Sequence, residues 1–303
     1  MTTFEQTLNK IVVEAEALTH SVIAEINRQS NATDAVLFHY TNDSGLFGIL
    51  TSGTLHFGDV FKMNDPSELR HGAESFMWKL RSRNADFAGL MSEISNPEKI
   101  AFFFCCSFSK SLDDLSQWRA YGDNGRGYVI HFNRQTLHKL RFSDAPNDEI
   151  DGFAVGYDSE MLENTLNNLA DLFIQVLIAY KPSANKIEWE KSQETLIKLT
   201  MLLYRIISLF KHPAYECEGE YRLLSSHSRH IPPKLKQKQR GKEMVDYREL
   251  DWRGQVPNLI EGITIGPAAD ETKAREFIHK CLEIGKLTLP DEKIVISDIP
   301  YRA

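Results

Sequence analysis

Residues 35–57 read AVLFHYTNDSGLFGILTSGTLHF, and this stretch decides the fold class. It opens on a short apolar run closed by turn formers, the pattern of a buried strand. Asn42, Asp43 and Ser44 offer side-chain acceptors for the free N–H groups of a helix start, and Leu46, Ile49 and Leu50 then share one side of a short helix. Gly53 suits a left-handed helix exit, and residues 55–57 resume strand character. Residues 35–58 therefore read as strand, short helix, strand.

The pattern extends in both directions. Upstream, Phe4, Leu8, Ile11, Val12, Ala15, Leu18, Val22, Ile23 and Ile26 recur at steps of three and four, giving one amphipathic helix. Downstream, Asn64-Asp65-Pro66-Ser67-Glu68 introduces a helix reaching about Arg83, and residues 100–108 form an aromatic-rich core strand. Residues 111–121 read as helix, 122–125 as a turn and 128–132 as strand. Two long helices follow, one carrying Leu162, Leu166, Leu169, Phe173, Val176 and Leu177, the other covering about 188–210. Lys181-Pro182-Ser183 separates them, as in a helical hairpin. Strand character returns at 221–224, then come a basic loop, a strand at 263–265, a helix over about 269–284 and a strand at 294–296. The expected architecture is α+β in a single domain over 1–303, with a split central β-sheet. An N-terminal helix covers 1–30, the core 31–150 and 211–303, and a helical insertion 151–210.

The chain has 303 residues, 42% hydrophobic and 25% charged, which is globular usage and excludes general disorder. Apolar runs fall short of the ~20 residues that span a bilayer. The start, MTTFEQTLNK, carries an acid and no apolar signal core, so a cytoplasmic protein without a membrane partner is expected. The four cysteines are Cys105, Cys106, Cys217 and Cys281; with no C-x-x-C spacing they suggest no zinc site, and the adjacent pair reads as buried, inert thiols. A net charge of −7 argues against a globally basic nucleic-acid binder. Between 225 and 242, however, Arg229, Lys234, Lys236, Lys238, Arg240 and Lys242 occur with no acid. Such a run is usually a solvated loop, and segment 229–242 is also a candidate polyanion contact.

Four segments concentrate functional residue types. His39 ends a buried strand beside a helix start, where it either binds a ligand hydroxyl or phosphate or is satisfied by backbone in the core. Asn64, Asp65 and Glu68 read as a capped helix start, or Asp65 or Glu68 orients a catalytic His or Arg. Ser107, Phe108 and Ser109 leave the core strand, and Gln117, Trp118, Arg119 and Tyr121 follow on one helix. Hydroxyls with stacking surfaces suit a planar heteroaromatic ligand, although an amphipathic helix with Trp118 in the core explains the same residues. Glu216, Glu218 and Glu220 alternate into a strand and so share a face, either as a solvated edge or with one carboxylate set to stabilise a developing cation.

In order, these segments resemble the domain-of-unknown-function family numbered 2971. Its pattern of an H-Y-T strand, a G-[IL]-L helix, N-D-P-x-E, an F-S strand, Q-W-x-x-Y-G and E-x-E-[WY]-R is matched here by His39-Tyr40-Thr41, Gly48-Ile49-Leu50, residues 64–68, Phe108-Ser109, residues 117–122 and residues 218–222. The layout also looks like the ADP-ribosyltransferase fold, with Ile49-Leu50-Thr51-Ser52-Gly53-Thr54-Leu55 fitting its I-L-x-x-G-x-L segment. That resemblance implies NAD as substrate, with His39 on the ribose hydroxyls, Ser107 and Ser109 at the central-strand position, and Tyr40 or Tyr121 against nicotinamide. Glu220 would be the catalytic carboxylate, and Thr41, Phe108, Gln117, Trp118 and Arg222 would complete the NAD site. Asn64, Asp65, Glu68 and Glu218 would support it. The expected activity is that of an ADP-ribosyltransferase or NAD glycohydrolase, a toxin or phage-defence effector with a nucleic-acid or protein acceptor. The alternatives are a non-catalytic nucleotide-binding module and a metal-dependent nuclease built on His39, Asp65, Glu68 and Glu220.

Overall fold

A computed structural model describes residues 3–30, 35–62, 67–83, 96, 99–146, 150–179, 186–228, 232–256 and 258–301. In chain order the elements are α1 (Phe4–Gln29), β1 (Val36–Thr41), α2 (Asp43–Ser52), β2 (Thr54–Asp59), α3 (Ser67–Ser82), β3 (Ala101–Ser109) and α4 (Leu115–Ala120). There follow β4 (Tyr128–Asn133), α5 (Arg134–Leu137), β5 (Asp151–Ala154), α6 (Ser159–Ala179), α7 (Lys186–Ile207), β6 (Glu220–Ser228), β7 (Lys236–Arg240), β8 (Glu243–Asp251), β9 (Ile260–Ile265), α8 (Glu271–Gly285) and β10 (Ile294–Ile296). The chain is α+β, as its pattern suggests.

The opening stretch folds as read. Asn42 caps α2 by accepting from the Gly45 N–H, and Gly53 leaves the helix at φ +71. A side chain at Gly53 would also meet Arg253, whose guanidinium donates to the Leu50 and Thr51 carbonyls. Leu46 and Leu50 are fully buried, and α2 packs on α8 and against β1, β2 and β4. A second helical group, α1, α3, α6 and α7, packs together, with α1 also touching β5. Phe57, Phe76, Phe103, Phe104, Phe132, Phe153 and Phe173 lie in the core between these elements. Burying each stabilises the fold by roughly 1.5–3 kcal/mol.

The sheet is mostly antiparallel, in the order β10-β9-β4-β1-β3-β2-β8-β7, with β6 and β5 branching from β3. β6 pairs along the whole of β3, from Ala101 opposite Ser228 to Ser109 opposite Glu220. The other edge of β3 is shared. β2 reaches it at Phe104 and Cys105, β1 at Ser109, and Cys106–Phe108 face neither. The sheet therefore forks at β3, and a cleft lies in the fork.

Three local expectations change. The helix expected over 111–121 is confined to α4, because Asp114 caps it by accepting from Ser116 and Gln117 N–H and Asp113 sits at φ +63. The alternating acids do not share a strand face. Residues 213–218 form a 3-10 turn, Gly219 leaves it at φ +51 and β6 starts only at Glu220. The basic segment is no loop over 236–240, for β7 and β8 form a hairpin there. The Lys-Pro-Ser linker at 181–183 lies outside the described residues.

Candidate functional site

The cleft has a volume of about 650 Å³ and an open mouth. That falls in the ordinary range of small-molecule sites, roughly 300–1,000 Å³. Its floor is the unpaired reach of β3, its walls β1 and β2, and its far side the start of β6 with the turn before it. His39, Tyr40, Ser107, Phe108, Ser109, Gln117, Tyr121, Glu218, Glu220 and Arg222 all line it. The fold thus brings together residues spread over more than half of the chain.

Glu220 is the electrostatic centre. It is 7% exposed, yet two cations hold it ionised. Arg222 Nε donates to Oε1 at 2.8 Å and Nη2 to Oε2 at 2.9 Å, a bidentate pair. Lys211 Nζ reaches Oε2 at 3.5 Å, and the Ser107 hydroxyl also bonds the carboxylate. Burial alone would raise its pKa, but Arg222 and Lys211 outweigh that and bring it down to about 2. Glu218 takes the same lysine at 2.5 Å. The turn that aligns the two carboxylates is pinned to β3: Ser109 Oγ donates to the Glu218 carbonyl at 2.8 Å, and Lys110 N to that of Gly219.

His39 bridges the fork. Its Nδ1 lies 3.1 Å from the Ser107 carbonyl, which can only accept, so Nδ1 carries the proton and Nε2 is the acceptor. Burial lowers its pKa, keeping the ring neutral near pH 7. Gln117 is 6% exposed and lines the cleft from the start of α4. Tyr121 is 44% exposed, and partial loss of solvent raises its pKa.

Other expected residues serve as supports. Tyr40 donates to the Ser111 carbonyl and accepts from Asp114 N–H, its ring lies edge-on to Trp118, and its pKa is pushed up to about 12. Trp118 is fully buried, with Nε1 bonded to Asp113, and neither it nor Thr41 lines the cleft. Cys105 and Cys106 do line it, but burial raises both thiols, that of Cys105 to about 11. Asn64, Asp65 and the Glu68 side chain lie outside the described residues. Among the described residues no three His, Cys, Asp or Glu side chains group as metal ligands.

Sequence reasoning missed His56, Lys211, Tyr215 and the placement of Lys238 and Arg240, all on the cleft wall. Only the last two carried a signal, the basic run. Lys211 and Tyr215 sit in an unremarkable polar turn, with the ammonium 4.6 Å from the ring centroid.

Residues 117–223 match a family model described as Protein of unknown function (DUF2971). The matched segment contains Gln117, Tyr121, Glu218, Glu220 and Arg222 but stops short of His39 and Ser107 on the other side of the cleft. No curated protein and no solved structure matches the chain. Among the described residues no helix is long and apolar enough to cross a membrane.

Proposed function

We propose that the fork cleft binds NAD and cleaves its nicotinamide–ribose bond, as an ADP-ribosyltransferase or an NAD glycohydrolase. The observation that carries this reading is the meeting of His39, Gln117, Tyr121 and an ionised Glu220 in one cleft. The motif resemblance in the sequence supports the same reading, for the His39 strand, the Ser107–Ser109 strand and the Glu220 strand border this one cleft.

The chemistry follows from the groups. As the C1′–N bond breaks, its electron pair leaves with nicotinamide, which becomes neutral, and the ribose becomes an oxocarbenium ion. Water or an acceptor nucleophile then adds at C1′ and gives up its proton. A fixed carboxylate lowers the energy of that positive charge. The loosest contact of Glu220, to Lys211 at 3.5 Å, is where a ribose hydroxyl would donate. His39 Nε2 accepts from the other hydroxyl, the Gln117 amide pairs with the carboxamide, and the Tyr121 ring stacks on nicotinamide.

One observation favours the second reading, a nucleotide-binding module without turnover. Arg222 occupies both oxygens of Glu220, and a neutralised carboxylate offers less to a developing cation. Calorimetric titration of the full chain with NAD, followed by chromatography of the mixture, separates the two. Binding is expected for the wild type, weakened about tenfold in Gln117→Ala by loss of the amide pair. Equal affinity in that variant would remove Gln117 from the site, and binding without nicotinamide release would select the module.

A further inference from the structure

Lys236, Lys238 and Arg240 occupy alternate positions of β7 and so rise from one face of the hairpin. Lys236 is neutralised by Glu249. Lys238 and Arg240 have no carboxylate partner among the described residues, and both line the cleft. The Lys238 ammonium lies 5.3 Å from the centroid of the Tyr247 ring, which packs against His56 at 4.3 Å. Lys238 lines the same cleft as His39, His56 and Cys106 while its side chain stays partly open to solvent. Loss of solvent lowers the Lys238 pKa, a penalty that a bound anion relieves.

We propose that Lys238 and Arg240 form an anion subsite of the cleft that binds the phosphates of a nucleotide whose remaining parts lie in the fork between β1 and β2. The identity of that nucleotide as NAD rests on the function proposed above; the subsite itself does not. A nucleic-acid backbone fits less well, because it needs a continuous cationic track. Here Glu249 neutralises Lys236, so the strand offers the two cations that line the cleft, Lys238 and Arg240, and not a continuous track.

The test is titration calorimetry on the full chain with NAD, inorganic pyrophosphate and a single-stranded oligonucleotide. The wild type is compared with Lys238→Ala/Arg240→Ala, with Lys238→Arg, and with Lys236→Ala as the in-strand control. β7 is an edge strand with exposed side chains, so the double variant should keep the wild-type melting temperature. The expected result is pyrophosphate and NAD binding weakened tenfold or more in the double variant, unchanged in Lys236→Ala and largely kept in Lys238→Arg. Pyrophosphate binding that depends on the pair while NAD fails to bind would support the subsite and remove the NAD reading. NAD bound equally by wild type and double variant would overturn the subsite and leave that reading intact. Binding of the oligonucleotide alone, weakened as much by Lys236→Ala, would overturn it in favour of a backbone-binding surface. Failure of every phosphate compound to bind would overturn it outright.

Discussion

Glu220 and Arg222 are both more than nine-tenths buried, so neither is tolerable without the other. Arg222 also donates Nη1 to the Ser208 carbonyl at 2.9 Å, tying β6 to the end of α7. Glu220→Ala would leave a guanidinium buried opposite an apolar gap and should destabilise the fold by about 3–5 kcal/mol. Glu220→Gln keeps the shape and one of the two oxygens that accept from Arg222, so its loss should be smaller than that of the alanine variant without vanishing. Denaturant midpoints of the two variants check this ordering. Equal losses would mean that the charge pair is not what holds β6 in place.

At the scale of elements, legibility followed the hydrophobic period and the caps. β1, α2 and β2 were readable because Leu37, Leu46, Leu50, Leu55 and Phe57 are buried at the spacing each element needs, with Asn42 and Gly53 marking both helix ends. β7 was not, because Lys-Gln-Lys-Gln-Arg is fully exposed and carries no apolar alternation. Its pairing is supplied by β8, where Val245 and Tyr247 bury the inner face. The acidic segment misled for a related reason. Alternation predicts a shared face only in a strand, and Gly219 in the left-handed region turns the chain between Glu218 and Glu220. The candidate site was legible as residue types, since His39, Ser107, Gln117, Tyr121 and Glu220 do meet. Lys211, which shares in holding Glu220 ionised, was not, for it reaches the site only through the fold and no motif marks it.

For the molecule as a whole, burial of neutral histidines sets the response to acid. His131 is brought down to about 4 by loss of solvent, and burial lowers His39 and His138 as well. Unfolded, these rings titrate near 6.5, so below that pH the unfolded chain binds more protons and stability falls with pH. The His131 contribution is fully present above 6.5 and lost progressively toward pH 4. Glu220 adds a second loss between about 4.5 and 2. Melting temperature should therefore decline from pH 6.5 to 4. His131→Gln, able to keep the bond to Thr264 Oγ1, should flatten part of that decline. An unchanged slope in the variant would assign the acid sensitivity elsewhere.

The central claim is that the cleft where β1 and β2 part along β3 turns over NAD. Nicotinamide released from NAD by the purified full chain, measured by chromatography beside Glu220→Gln at a temperature where both proteins are folded, tests it most directly. Release by the wild type and a fall of about 100-fold or more in the variant is the expected result. Equal release by both proteins, or a wild type that neither binds nor cleaves NAD, would contradict it.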